Sequence, residues 1–200
     1  MKITAIKQQV RRQGRYSIFV EGKYAFSLSE SALLGAGLAT GQDISETRLR
    51  ELKQESADDK IYHNTLAYAV LRPRSTWEIE QYLLRKNCSP PLIKTTLNKL
   101  SVVGLLDDET FARSWIANRR LLKPMSRRRL LQELRAKRVP DEIAERALTE
   151  DTSDEKEVLL DLVARKRKQT RYQDDQKLMQ YLAGQGFNYG DIKEALNAEA

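Results

Sequence analysis

The feature that most constrains this chain is a spacing. Ile79, Leu130 and Leu178 are separated by 51 and 48 residues, and Leu83, Leu134 and Leu182 repeat the same two intervals. The acidic pairs Asp58-Asp59, Asp107-Asp108 and Asp154-Glu155 are offset by 49 and 47 residues. Near-constant offsets across unrelated landmarks define a tandem repeat. Within each period the apolar residues follow a helical spacing. The first period carries Leu66, Ala67, Val70 and Leu71, a break at Pro73, then Ile79 and Leu83, then Ile93, Leu97 and Leu100 after Ser89-Pro90. The second carries Phe111, Trp115 and Ile116, a break at Pro124, then Leu130 and Leu134, then Ile143 and Leu148. The third carries Val158, Leu162 and Val163, then Leu178 and Leu182, then Ile192 and Leu196. This predicts three units of three helices. Each buries its apolar faces against its neighbours, which implies an elongated, curved array.

The residues before the repeats read differently. Tyr16, Ile18 and Val20 alternate with Ser17 and Phe19, and Tyr24, Phe26 and Leu28 alternate after Glu21-Gly22-Lys23. Alternation on both sides of a Gly-containing turn predicts a hairpin. An odd loop puts both apolar triplets on one face and a two-residue loop splits them, so the register stays open. Ile3 to Val10 is a candidate third strand. Short helices are expected at Ser29 to Gly35 and from Ser45 to about Gln54. The expected fold class is therefore mainly α: an N-terminal hairpin segment over residues 1–56, then repeats over 57–105, 106–150 and 151–200.

Aromatic residues are 7% of the 200 residues, which fits thin layers of Leu, Ile and Ala better than one large core. Cys88 is the single cysteine, so no intramolecular disulfide forms and a reducing compartment is expected. No window approaches the 18 or so apolar residues of a membrane span. The N-terminus lacks the apolar stretch of a signal peptide, so the cytoplasm is expected.

Catalytic chemistry finds no support. His63 is the only histidine, and a zinc site is excluded on ligand count. No nucleophile elbow and no Gly-x-x-x-x-Gly-Lys loop is present. The acidic pairs stand just before a helix in every repeat, where capping and the helix dipole select acids. That reading is preferred to a metal-dependent nuclease built on Asp107, Asp108 and Glu109. The chain is expected to be no enzyme and to use no metal or cofactor.

The charge distribution is the sharpest positive signal. The net charge is +7. Between Arg113 and Arg138 stand Arg113, Arg119, Arg120, Lys123, Arg127, Arg128, Arg129, Arg135, Lys137 and Arg138, opposed within that stretch only by Glu133. Arg165, Lys166, Arg167 and Lys168 form a second cluster with Arg171 nearby, and Arg72 and Arg74 flank Pro73. Arginine-rich surface suits phosphates and carboxylates. These residues are the expected binding surface, with Arg119, Arg120, Lys123 and Arg127 to Arg129 at its centre. Ser75-Thr76-Trp77-Glu78 reads as a capping box. Trp77 and Trp115 are expected to pack between helices.

Two stretches carry a family resemblance: Arg72-Pro73-Arg74-Ser75-Thr76-Trp77-Glu78-Ile79 with Leu83, and Gly104-Leu105-Leu106-Asp107-Asp108-Glu109-Thr110-Phe111-Ala112 running on to Arg119. With Glu133-Leu134, Leu182, Gly186-Phe187 and the hairpin from Arg15-Tyr16 to Leu28, the chain resembles RecX, the bacterial regulator of the RecA recombinase. It departs from the family pattern at Lys137-Arg138, where Lys-Gly is frequent, and around Pro124. The resemblance implies a protein that lies in the groove of the RecA–DNA filament and suppresses its ATP hydrolysis and strand exchange, with weaker direct binding to single- or double-stranded DNA. A monomer is expected, because stacked repeats bury their apolar faces within one chain. The rival reading is a stand-alone DNA-binding repeat protein.

Overall fold

The computed structural model describes residues 1–198. Three strands come first: β1 (Ile3–Gln8), β2 (Arg15–Val20) and β3 (Lys23–Ser29). Ten helices follow: α1 (Glu30–Ala36), α2 (Glu46–Val70), α3 (Thr76–Arg85), α4 (Pro90–Val102), α5 (Asp108–Leu122), α6 (Arg127–Ala136), α7 (Asp141–Glu150), α8 (Glu155–Arg167), α9 (Asp175–Gly184) and α10 (Tyr189–Asn197). A 3-10 turn, Thr170–Tyr172, precedes α9. The expected class, mainly α with an N-terminal sheet segment and three-helix repeats, is the one observed. The residues group into two compact bodies: Met1–Leu71 with Ser89–Thr96, and Arg72–Cys88 with the residues from Leu97 on.

In the first body the strands form an antiparallel sheet in the order β1-β2-β3. The β2–β3 turn has two residues, Glu21 at φ 49° and Gly22 at φ 74°. Two left-handed residues suit the twist of a tight hairpin. A two-residue turn alone would pair Ile18 with Ala25 and put Phe26 and Leu28 on the other face of the sheet from Ile18 and Val20. The pairing shifts between Ile18 and Phe19, so that Phe19 faces Tyr24 while Ile18 faces Phe26 and Tyr16 faces Leu28. The extra residue, Ala25, is a β-bulge. It returns Phe26 and Leu28 to the core with Ile3, Ile18 and Val20, and leaves Tyr24 outside against the edge of Phe19.

The short helix expected to end near Gln54 does not end there. Ser45 caps α2, which runs unbroken to Val70. No glycine or proline interrupts Glu46 to Val70, so nothing stops it. Asp58-Asp59 therefore lies inside a helix and caps none, unlike Asp107, which accepts from Glu109 N and Thr110 N, and Asp154, which accepts from Lys156 N and Glu157 N.

In the second body, α5–α7 enclose one core around Phe111, Ile116, Leu130 and Leu134. Helices α8–α10 enclose another around Leu162, Leu178, Leu182 and Ile192. All six residues that set the repeat, Ile79, Leu130, Leu178, Leu83, Leu134 and Leu182, are fully buried at 0% exposure. The expected capping box at Ser75 and Glu78 is present.

The units are joined by a recurrent bond. The backbone N–H of Ser29 donates to Asp59 (3.0 Å), that of Thr76 to Asp108 (2.8 Å) and that of Arg127 to Glu155 (3.1 Å). In each case an N–H at the start of a helix, which that helix leaves unsatisfied, meets the second member of an acidic pair from the next stretch of chain. Beside it stands a buried serine that caps its own helix: Ser29, Ser75 or Ser126. Ser75 also donates from its hydroxyl to the carbonyl of Lys137 (2.9 Å), and Ser126 from its N–H to the carbonyl of Gln185 (3.1 Å). The second acids thus tie successive units together while Asp107 and Asp154 cap their own helices.

At the last of these junctions Gly186 has φ +90°, and a Cβ there would lie 2.8 Å from the Cβ of Arg129 and closer still to the hydroxyl of Ser126. Gly186→Ala is expected to destabilise the chain by about 1–3 kcal/mol through the left-handed backbone and the clash, measured by urea denaturation. Arg138 occupies the equivalent position after α6 at φ 56°. Arg138→Gly should raise stability by a few tenths to about 1 kcal/mol in the same assay, because glycine is the favoured residue there.

Candidate functional site

Folding sorts the basic residues into two groups. The first is tied into the protein. Arg120 is only 11% exposed, bonded to Asp151 (2.8 Å) and to the carbonyl of Met125 (2.7 Å). Arg127, expected at the centre of the binding surface, donates to the carbonyls of Leu148 and Asp151. Arg74 is buried. Arg113 pairs with Glu150 (3.2 Å), Arg135 with Asp141 (2.8 Å), and Arg167 with Asp175. Glu133 was the only acid within the basic stretch, but Glu150, Asp151 and Asp141 reach it from elsewhere in the chain. Arg120 and Arg127 thus brace the α5–α6 connection against the end of α7.

The second group is exposed. Lys123, Arg128, Arg138, Arg165 and Lys168 are exposed and enter no ion pair among the described residues. Arg129, also exposed, donates at 3.4 Å to Gln132. Arg128 and Arg129 stand in the first turn of α6, beside Ser126, whose hydroxyl accepts from Arg129 N (3.2 Å). Lys166 lies over the rings of Tyr172 (5.4 Å) and Tyr181 (4.7 Å).

Three of the expected residues, Arg72, Arg119 and Lys137, converge on a cleft of about 490 Å³ in the second body. Trp115 forms one wall. Its indole N–H donates to Glu133 (2.9 Å). The same carboxylate oxygen accepts from Arg119 (2.7 Å), whose guanidinium lies 4.4 Å from the indole centroid. Lys137 Nζ stands 5.3 Å from that centroid and pairs with Glu78 (2.8 Å). Arg72 pairs with the same Glu78 (3.0 Å). Trp115 packs against the α5–α7 core, as expected, and also lines the cleft.

Glu78 organises this corner. Burial alone would raise its carboxyl, but hydrogen bonds from Arg72 and Lys137 outweigh burial and hold it at about 2, against an ordinary 4.5. A carboxylate depressed in the folded state stabilises the fold above its unfolded value, and that contribution is lost as pH falls through its folded value. Stability should therefore decline between pH 4.5 and about 2. Glu78→Gln should flatten that part of a pH–stability curve taken by urea denaturation.

Sequence reading missed a repeated surface motif. Val70-Leu71-Arg72-Pro73 and Leu121-Leu122-Lys123-Pro124 stand 51 residues apart, the interval already seen in the core leucines. Leu121 and Leu122 are 72% and 76% exposed, and Val70 and Leu71 are 64% and 79% exposed. The interval could have revealed the motif, but apolar residues on a helical period read as core.

Fold and site together define a class: a helical-repeat protein with exposed arginine and lysine, none of whose described helices is long and apolar enough to cross a bilayer. Family models match as "Regulatory protein RecX N-terminal domain" over residues 1–45, "RecX, second three-helix domain" over 107–148 and "RecX, third three-helix domain" over 154–196. The regulatory protein RecX of Lactobacillus delbrueckii subsp. bulgaricus is 30% identical, the alignment covering 98% of this chain and 74% of that one. That of Halalkalibacterium halodurans is 32% identical over 96% and 76%. A crystal structure of regulatory protein RecX superposes with a TM-score of 0.75 at 27% identity, covering 98% of both chains. The chain belongs to the RecX family of regulatory proteins.

Proposed function

We propose that this chain regulates the RecA recombinase by binding the RecA–DNA filament in its groove, where it restrains ATP hydrolysis and strand exchange. It acts without a cofactor, as a cytoplasmic monomer. The observation that carries the reading is the start of α6. Three consecutive arginines, Arg127 to Arg129, occupy the positive end of a helix dipole. A cation in the first turn of a helix costs roughly 0.3–1 kcal/mol. Arg127 recovers this through its bonds to carbonyl groups, but Arg128 and Arg129 face solvent. Glu155 meets the α6 start through Arg127 N, but Arg128 and Arg129 enter no ion pair among the described residues, and an anion outside the fold suits them. With Lys123 and Arg138, and with Arg165 and Lys168 on the last repeat, they suit the phosphates and acidic protein surface of a nucleoprotein filament. Arg72, Arg119 and Lys137 add a cationic cleft. Contacts spread over the repeats at 57–105, 106–150 and 151–200 act together through effective concentration.

The exposed pairs Val70-Leu71 and Leu121-Leu122 favour a protein partner over bare DNA, because aliphatic side chains gain little from a phosphate backbone. Their repetition fits a partner that presents the same surface more than once.

The test is RecA ATP hydrolysis on single-stranded DNA with substoichiometric amounts of this chain. Strong inhibition is expected. A Lys123→Ala/Arg128→Ala/Arg129→Ala variant should inhibit at least tenfold less, since a hydrogen bond to a charged group is worth about 1.5 kcal/mol or more, with its unfolding midpoint no lower, because two cations leave the first turn of α6. Leu121→Ser/Leu122→Ser should likewise weaken filament binding but leave affinity for bare DNA intact. If inhibition only follows competition for DNA, the chain is a DNA-binding repeat protein instead.

A further inference from the structure

The first body holds a second basic site, distant in sequence from the arginine-rich repeats. The connection between β1 and β2 carries Arg11, Arg12 and Gly14, and is closed by Gln9 N donating to the carbonyl of Arg15 (2.8 Å). It stands beside α2, where Lys60, His63 and Asn64 follow one another on one helical face. Between them lies a cleft of about 230 Å³ lined by Arg12, Gly14, Arg15, Lys60, His63 and Asn64. This is several times the roughly 30 Å³ that a water occupies.

The charge balance of the cleft is positive, and its acid is already committed. Asp59, with its side chain 9% exposed, pairs with Arg15 (3.0 Å) and accepts from both the N–H (3.0 Å) and the hydroxyl (2.6 Å) of Ser29. His63 Nε2 lies 3.4 Å from the same carboxylate. Arg12 and Lys60 enter no ion pair among the described residues. Arg15, buried at 8% exposure, uses three of its N–H groups on Ser27 and Asp59, and a guanidinium has five. The cleft thus presents a buried guanidinium with donors to spare, two unpaired cations, an amide and an imidazole.

We propose that this cleft binds a phosphate group. The donor set matches tetrahedral oxyanion recognition: guanidinium for geometry, ammonium for charge, and Asn64 and His63 as further hydrogen-bonding groups. Gly14, at φ 76° and without a side chain, lets the ligand approach the turn closely. Phosphate on this site would relieve the repulsion between Arg12, Lys60 and the Arg15 guanidinium. The site does not depend on the recombinase reading, since it requires only the phosphate itself.

The experiment is amide NMR of the full chain, following Gly14 and Asn64. The probes are inorganic phosphate, a 5′-mononucleotide and unphosphorylated oligothymidylate at low salt. Saturable shifts of both amides are expected. Shifts with the oligonucleotide alone identify a backbone phosphodiester as the source, and shifts with phosphate and the mononucleotide identify a terminal or free phosphate. Arg12→Glu/Lys60→Glu should abolish the shifts while keeping the unfolding midpoint, both side chains being exposed. If the oligonucleotide is the ligand, the salt slope of its binding should fall by about 0.7 per lost contact. The charge-matched Lys23→Glu/Lys53→Glu variant, altered at exposed positions of the same body that do not line the cleft, should retain the shifts. Unmoved amides with every probe, or equal shifts in Arg12→Glu/Lys60→Glu, overturn the site.

Discussion

A helix begins with backbone N–H groups that it cannot satisfy itself, and the architecture of this chain depends on how those groups are met. At Ser29, Thr76 and Arg127 the N–H donates to a carboxylate from the next stretch of chain, Asp59, Asp108 or Glu155. A buried N–H without a partner costs about 1–3 kcal/mol, so the helix start and the acid must stay together. Each joint is reinforced by the serine cap beside it. Such bonds have direction, unlike the apolar contacts of the two helical cores. Each therefore holds one helix start toward one acid, while the leucine layers bury apolar surface.

The same logic distributes the charge. Acids outside the basic stretch, Glu150, Asp151 and Asp141, come back to meet Arg113, Arg120 and Arg135. What remains is a smaller exposed set in the first turn of α6 and at the ends of α5, α6 and α8. The arginines therefore divide by position. Arg120 and Arg127 point back to the end of α7 and hold the α5–α6 connection, whereas Arg128, one residue further on, faces solvent. Around Trp115 the two roles meet, since Glu78 and Glu133 hold Arg72, Arg119 and Lys137 at the rim of one cleft.

Much of this was legible in the chain. The 51- and 48-residue intervals located three sets of helices and six fully buried residues. The caps at Ser75, Asp107 and Asp154 follow from residue type and position. The hairpin register was not legible, because a bulge at Ala25 costs one residue and leaves no mark in composition. The extent of α2 was not legible either, because Asp58-Asp59 resembles the other two acidic pairs. It shares their bond to the preceding unit, but lacks the chain break that makes their first members helix caps.

The sequence by itself determined the repeat, the helical faces and the excess of positive charge, because periodicity and local capping depend on near neighbours along the chain. Only the tertiary structure decided which charges are available. Glu78 reaches Lys137 and Asp151 reaches Arg120 across 59 and 31 residues. Coulomb energy falls with distance in space and is indifferent to distance along the chain, so the balance of a charged surface is settled only once the fold brings its charges together.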